Sequence, residues 1–130
     1  MKNEGATQTE ISSDQGALVH IQDDGSERII ADSVEMKDTF LSRARGLMFR
    51  KSPPEACYFD FRSTDRRTVH MLFVNFPLKV CWLIDDKVVR VESLEPWTGI
   101  ANERANAIVE LPGTSEQKIS SGDQIKLLSD

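Results

Sequence analysis

No stretch of this 130-residue chain approaches the ~18 consecutive apolar residues that a membrane-spanning helix requires. Residues Met1 to Asp14, MKNEGATQTEISSD, lack the apolar core of a secretory signal and the arginines of a transit peptide. The expected compartment is therefore the cytoplasm, with no membrane partner. Cysteine is scarce. Cys57 and Cys81 are too few and too far apart for a zinc site or a disulfide framework. Both sit in apolar runs, ACYFDF and KVCWLI, where a reduced thiol packs as a small hydrophobe. The two histidines, His20 and His70, have no carboxylates at a spacing diagnostic of a metal site. Gly113 and Gly122 are isolated turn glycines, and no phosphate-binding glycine array is present. No metal and no cofactor are expected. Positive charge is also in deficit: the net charge of -5 argues against a nucleic-acid partner for the molecule as a whole. No internal repeat is visible.

What is present fits one domain with a real core that needs no disulfide to hold it. Residues Met1 to Gly16 are polar, with Ile11 the one large apolar side chain. Such a segment cannot offset the entropy of ordering, so 1–16 reads as a flexible tail and 17–130 as a single β-rich domain. Ala17–Ile21 and Glu27–Met36 read as strands of a hairpin around Asp23-Asp-Gly-Ser26. Asp38-Thr39 caps a short helix over Phe40–Arg45, closed by Gly46. Strands follow over Ala56–Phe61, Thr68–Val74, Leu78–Ile84, Val88–Leu94, Ala107–Leu111 and Gln124–Leu128. Asp85-Asp86 is a tight turn, and Pro112–Ile119 reads as a second brief helix. Val69 to Asp85 is the most apolar region, so Phe73, Val80, Trp82, Leu83 and Ile84 should include the most buried side chains. The pattern predicts a mainly β, barrel-like sandwich with one or two short helices.

Three blocks carry a family resemblance. Arg45-Gly-Leu-Met-Phe-Arg50 resembles the GLM-x-R signature of domain of unknown function family 192, also called uncharacterised protein family 0127. Phe76-Pro-Leu78 with Trp82-Leu-Ile-Asp85 resembles its central block. Glu110-Leu-Pro-Gly-Thr114 and Ser121-Gly-Asp123 resemble its C-terminal elements. The likeness runs from about Ile30 to Leu128. It implies a compact, mostly β barrel-like sandwich with short helices, and no established activity, cofactor or catalytic residue. The chain departs from the bacterial pattern at His70-Met71, at Phe73-Val74 and at Lys79, and its Leu72-Phe-Val74 and Pro96-Trp97 features resemble the archaeal branch. A pocket built on the family's usual Trp, Asn and Asp at those positions is not intact here.

The residues themselves offer several candidate sites. His70 is the natural acid–base suspect, with Cys81 on a neighbouring run, but no acidic orienter is marked nearby. Its plainer role is a strand-edge histidine bonded to backbone. Asp85 and Asp86, with Glu92 and Glu95, read as turn and surface carboxylates rather than a catalytic pair. Residues 43–67 hold seven bases (Arg43, Arg45, Arg50, Lys51, Arg62, Arg66, Arg67) against three acids, whereas residues 1–35 hold eight acids against two bases. That stretch is either an anion-binding face or a solvated surface whose arginines pair within the molecule. Trp97, in the loop Glu95-Pro-Trp-Thr-Gly99, either covers the end of a barrel or walls a ligand site.

The expectation is a small monomeric binding or accessory module without catalytic activity. It contacts a protein or a small anionic ligand through Arg45, Arg50, Arg62, Arg66, Arg67, His70 and Trp97. One alternative is an enzyme acting on a small anionic substrate, with His70 as acid–base and arginines as clamps. Another is weak nucleic-acid binding through the Arg43–Arg67 stretch.

Overall fold

The computed structural model describes residues 16–22, 24–37 and 47–128. The expected tail over Met1–Gly16 and the expected helix over Phe40–Arg45 lie outside the described residues, Gly16 apart. Eight strands form: β1 (Ala17–Ile21), β2 (Glu27–Ala31), β3 (Glu35–Lys37), β4 (Cys57–His70), β5 (Leu78–Ile84), β6 (Lys87–Leu94), β7 (Ile100–Pro112) and β8 (Gln124–Leu128). They make one sheet in the order β2-β1-β8-β6-β5-β7-β4-β3. Its neighbours are antiparallel except β3, which runs parallel to β4.

The two edge strands, β2 and β3, are joined only by Asp32-Ser33-Val34. Such a connection spans at most ~14 Å when fully extended. The sheet must therefore roll up until its edges lie close together. No ladder between β2 and β3 closes the roll among the described residues, so the barrel stays open. Ser33 N–H donates to Glu55 Oε1 (2.8 Å) and Glu35 N–H to Ala56 O (2.9 Å), which pins the connection to the segment before β4.

Rolling gives the central strands cover on both faces, which is why β5 reads as an almost unbroken apolar run. Cys81 and Leu83 point to one cluster, with Leu18, Val88, Val109 and Ile125. Val80 and Trp82 point to the other, with Phe59, Met71, Phe76 and Ile108. Trp82 is completely buried, and its indole N–H donates to Arg67 O at 2.9 Å. Cys57 belongs to the Trp82 cluster and Cys81 to the opposite one, so the two thiols form no disulfide with each other. Burial pushes the Cys81 thiol up to about 12. The turn between β5 and β6 is the two-residue type that matches strand twist. Asp85 and Asp86 both take positive φ (50° and 70°), and the Asn106 side chain bonds Asp85 at both its N–H and its carboxylate.

Several sequence expectations need correction. No helix forms among the described residues: Pro112 ends β7, and 113–119 is a turn followed by irregular chain. Lys79 Nζ takes the carbonyls of Ser115 (3.3 Å) and Gln117 (2.8 Å), acceptors that a helix would use itself. Gly113 is pressed against Pro77, where a Cβ would come within 2.7 Å of the ring. Glu27–Met36 is not one strand, because the chain leaves the sheet edge at Ala31 to reach β3. The strand predicted over Thr68–Val74 stops at His70. The strand predicted over Ala107–Leu111 begins at Ile100, and β4 runs through Phe61–Arg67 with a bulge opposite Asn106. Phe73 and Ile84 are only partly buried, unlike Val80, Trp82 and Leu83. No described helix is long and apolar enough to cross a membrane.

Candidate functional site

Where β4 ends, three loops are tied together by backbone bonds. Met71 N–H donates to Gly99 O (2.9 Å), and Met71 O accepts from both Val74 (2.9 Å) and Trp97 (3.0 Å). Phe49 N–H donates to Phe73 O at 2.8 Å. Gly99 folds tightly on its own loop: a Cβ there would lie 2.8 Å from Glu95 O. From below, Leu47, Met71, Val74 and Phe76 anchor these segments in the Trp82 cluster.

On top stand Phe49, Phe73 and Trp97. Their ring centroids are 5.0 Å (Phe49–Phe73) and 5.2 Å (Phe73–Trp97) apart, the second pair edge to face. Each of the three residues has a left-handed backbone, with φ of 64°, 65° and 67°. For a bulky side chain this is a true outlier, worth ~1–3 kcal/mol of strain. Yet Phe49 is 70% exposed and Trp97 48%, and Leu72 beside them is exposed too. Asn75 braces the group: its Oδ1 accepts from the Trp97 indole (3.1 Å) and its Nδ2 donates to Arg50 O (3.1 Å). The result is a rigid, solvent-facing aromatic platform.

Arg50 and Trp97 thus meet through Asn75, as neighbours at one end of the barrel. The Arg50 side chain is itself engaged, with Nη1 donating to Glu35 Oε1 and Oε2 at 3.0 and 3.1 Å. Arg45 lies outside the described residues. His70 is exposed at the strand end, and its Nδ1 accepts the Leu72 N–H at 3.3 Å. Cys81 is buried in the opposite cluster, so the two make no Cys–His pair. Arg66 and Arg67 lie on the exposed arm where β4 pairs with the start of β7. Arg66 donates to Asn102 Oδ1, and Arg67 donates to Ser63 O (2.7 Å) and Ala105 O (3.2 Å) while covering the Phe61 ring. Arg62 sits in the bulge with a positive φ of 66°. The sequence stretch of arginines is therefore not one continuous face.

His20 is buried between Arg28, whose Nη2 lies 3.0 Å from Nδ1, and Asp123, whose Oδ2 lies 2.9 Å from Nε2. Because Arg28 can only donate, Nδ1 accepts, while Nε2 lies close to the Asp123 carboxylate without hydrogen-bond geometry. This knits β1, β2 and the approach to β8. No group of three or more metal-ligating side chains occurs among the described residues. Phe49 and Asn75 were not among the residues singled out from sequence, and Phe73 was named there as core rather than as part of a site. Phe73 lies in an apolar run, and only the following Asn75-Phe-Pro77 marks the end of the strand.

Two solved structures share this fold. One is a candidate transcription regulator from Sinorhizobium meliloti 1021, 21% identical, with a TM-score of 0.76 over 92% of this chain and 98% of that one. The other is a protein of unknown function from Novosphingobium aromaticivorans, 20% identical, with a TM-score of 0.71 over 85% of this chain and 83% of that one. At this identity they show the fold alone. The likeness to the archaeal branch is not borne out. No curated protein matches the chain. The family model described as an uncharacterised ACR matches residues 19–127, and the chain belongs to domain of unknown function family 192.

Proposed function

We propose that this protein is a non-catalytic binding module of the cytoplasm, working as a monomer, that docks a protein partner on the Phe49–Phe73–Trp97 platform. One observation carries the reading: exposed Phe49 and Trp97 pack on either side of half-buried Phe73, and each of the three occupies a left-handed backbone. Glycine or asparagine would relieve that strain at no loss of core. Strained backbone that the surroundings over-determine is a mark of working surface. Exposed aromatic clusters with a polar brace are what protein interfaces use as anchors. A protein partner fits better than a small anion, because Arg50, Arg66 and Arg67 already hold acceptors of their own chain. A His70 enzyme is less well supported. Its Nδ1 is taken by a backbone N–H, and the Cys81 thiol is buried elsewhere.

The test places a photo-reactive amino acid at Leu72, beside the platform, in living cells. A discrete protein adduct is expected, and it should vanish when Phe49→Gly and Trp97→Gly are introduced together. An adduct that survives both changes, or no protein adduct at all, removes the platform from consideration.

A further inference from the structure

Exposed apolar side chains are not spread evenly over the molecule. Four of the seven large ones among the described residues, Phe49, Leu72, Trp97 and Ile100, gather where β4 ends and β7 begins. His70 stands opposite Ile100 in the β4–β7 ladder, and its Nδ1 accepts the Leu72 N–H (3.3 Å). The platform is thereby joined to the outer face of the arm that these two strands form. Along that face the register sets Thr68 opposite Asn102 and then Arg66 opposite Arg104. All of these side chains are exposed, whereas the positions between them, such as Val69 and Ala105, turn inward, as strand alternation requires.

Charge on the arm is sorted by face. Arg66 and Arg104 face each other directly, and like charges so placed destabilise a sheet. No carboxylate on their face relieves them. Arg66 is held by Asn102 Oδ1, a neutral acceptor, and Arg104 is exposed and forms no ion pair among the described residues. Asp65 turns its Oδ1 back to the Arg66 N–H (2.7 Å). Glu103 alternates to the other face, where its Oε1 lies 4.0 Å from Arg90 Nη1. A chain with a net charge of -5 therefore holds an uncompensated basic pair beside its exposed aromatic rings.

On the reading that the platform docks a protein, we infer that the docked segment is acidic beyond its apolar anchor, and that Arg66 and Arg104 receive its carboxylates. Arg104 lies four residues from Ile100, which sets those carboxylates ~13 Å along the arm from the anchor. Exposed arginines hold a lone anion weakly in water. A carboxylate on an already anchored chain arrives at high effective concentration, so the same arginines then add affinity and orientation. A second copy of this chain does not fit face to face, because it would set arginine against arginine. Two arginines on an acidic chain are a small footprint for a phosphate backbone.

The experiment pans a displayed library of random dodecapeptides against the full chain and measures the enriched peptides, as fluorescent synthetic copies, by anisotropy. They are expected to join a large apolar residue to Asp or Glu. Arg66→Ala with Arg104→Ala should weaken them about tenfold or more at low salt, and by much less at high salt. Arg104→Glu, which gives Arg66 an opposite charge, should weaken them further while raising the melting temperature. Phe49→Gly with Trp97→Gly should abolish binding. Enriched peptides with no excess of acids, or undiminished binding to the double arginine variant, overturn the arginine role and leave the platform standing. So does a lower melting temperature in Arg104→Glu, which would make the pair structural. Peptides indifferent to the double glycine variant, or a library that yields no binder, remove the platform and this inference with it. A polyuridine strand that binds more tightly than every enriched peptide, and is lost in the double arginine variant, would make the face a nucleic-acid surface and overturn the protein partner.

Discussion

The two tryptophans stand in opposite circumstances. Trp82 is fully buried at the centre of a regular strand, and Trp97 is half exposed on a left-handed backbone. Both satisfy their indole N–H, Trp82 on Arg67 O and Trp97 on Asn75 Oδ1, so hydrogen bonding does not separate them. Burial does. The area that Trp82 removes from water accounts for its place in the sequence. Neither burial nor backbone comfort accounts for Trp97, and the same holds for Phe49. The middle of the sheet is arranged for stability, and the loops packed on its end hold aromatic rings in place despite it.

Replacing the buried ring should have the largest effect. Trp82→Ala is expected to cost about 3–5 kcal/mol in denaturant unfolding, the range for large aromatic truncations. A loss below about 1 kcal/mol would erase the contrast between the two tryptophans.

The next effect is alkaline. Cys81 and Tyr58 are both raised in the folded protein to about 12, from 9.0 and 10.0. Below about pH 8 both are protonated, folded or unfolded, and contribute no pH dependence. Between there and about pH 12 only the unfolded chain releases these protons, so stability should fall as pH rises. Urea midpoints measured from pH 8 to 11 should show the decline, and Cys81→Ala should make it shallower. An identical slope in that variant would mean that Cys81 is not buried in the native state.

Smaller still is the platform itself. Phe49→Gly trades ring contacts of ~0.5–1.5 kcal/mol against relief of a left-handed backbone, so its melting temperature should move little in either direction. A loss beyond about 2 kcal/mol would make the platform part of the core and undo the comparison. Smallest of all is Arg66→Ala on the exposed arm, expected to stay within about 0.5 kcal/mol by chemical denaturation. A larger change would reveal a network there beyond the Asn102 contact.

Strands β1, β5 and β8 were readable to the residue, because each is an apolar or alternating run between turn residues. Ile100–Asn106 and Phe61–Arg67 were not. Their sequences, IANERAN and FRSTDRR, are polar. They are strands only because they pair with each other, a long-range fact that no local pattern carries. The helix over Pro112–Ile119 failed for a similar reason, since Lys79 reaches over from β5 to claim its carbonyls. Trp97 and Arg50 could be named from sequence as site candidates, but their junction through Asn75 could not. Phe73 was misread as core because its run is apolar, whereas its φ and its neighbours decide its exposure.

The pairing of β1 with β8, Ala17 opposite Leu128, has a kinetic consequence. The earliest strand finds its second neighbour only in the latest one. A lone β1–β2 hairpin is marginal in water, and closing so long a loop is entropically costly. Folding should therefore be slow for the chain's size, in the range of sheet proteins with distant contacts. During synthesis the hairpin must wait, one edge bare, until β8 leaves the ribosome. Loss of β8 alone would leave the first two strands without a place in the sheet.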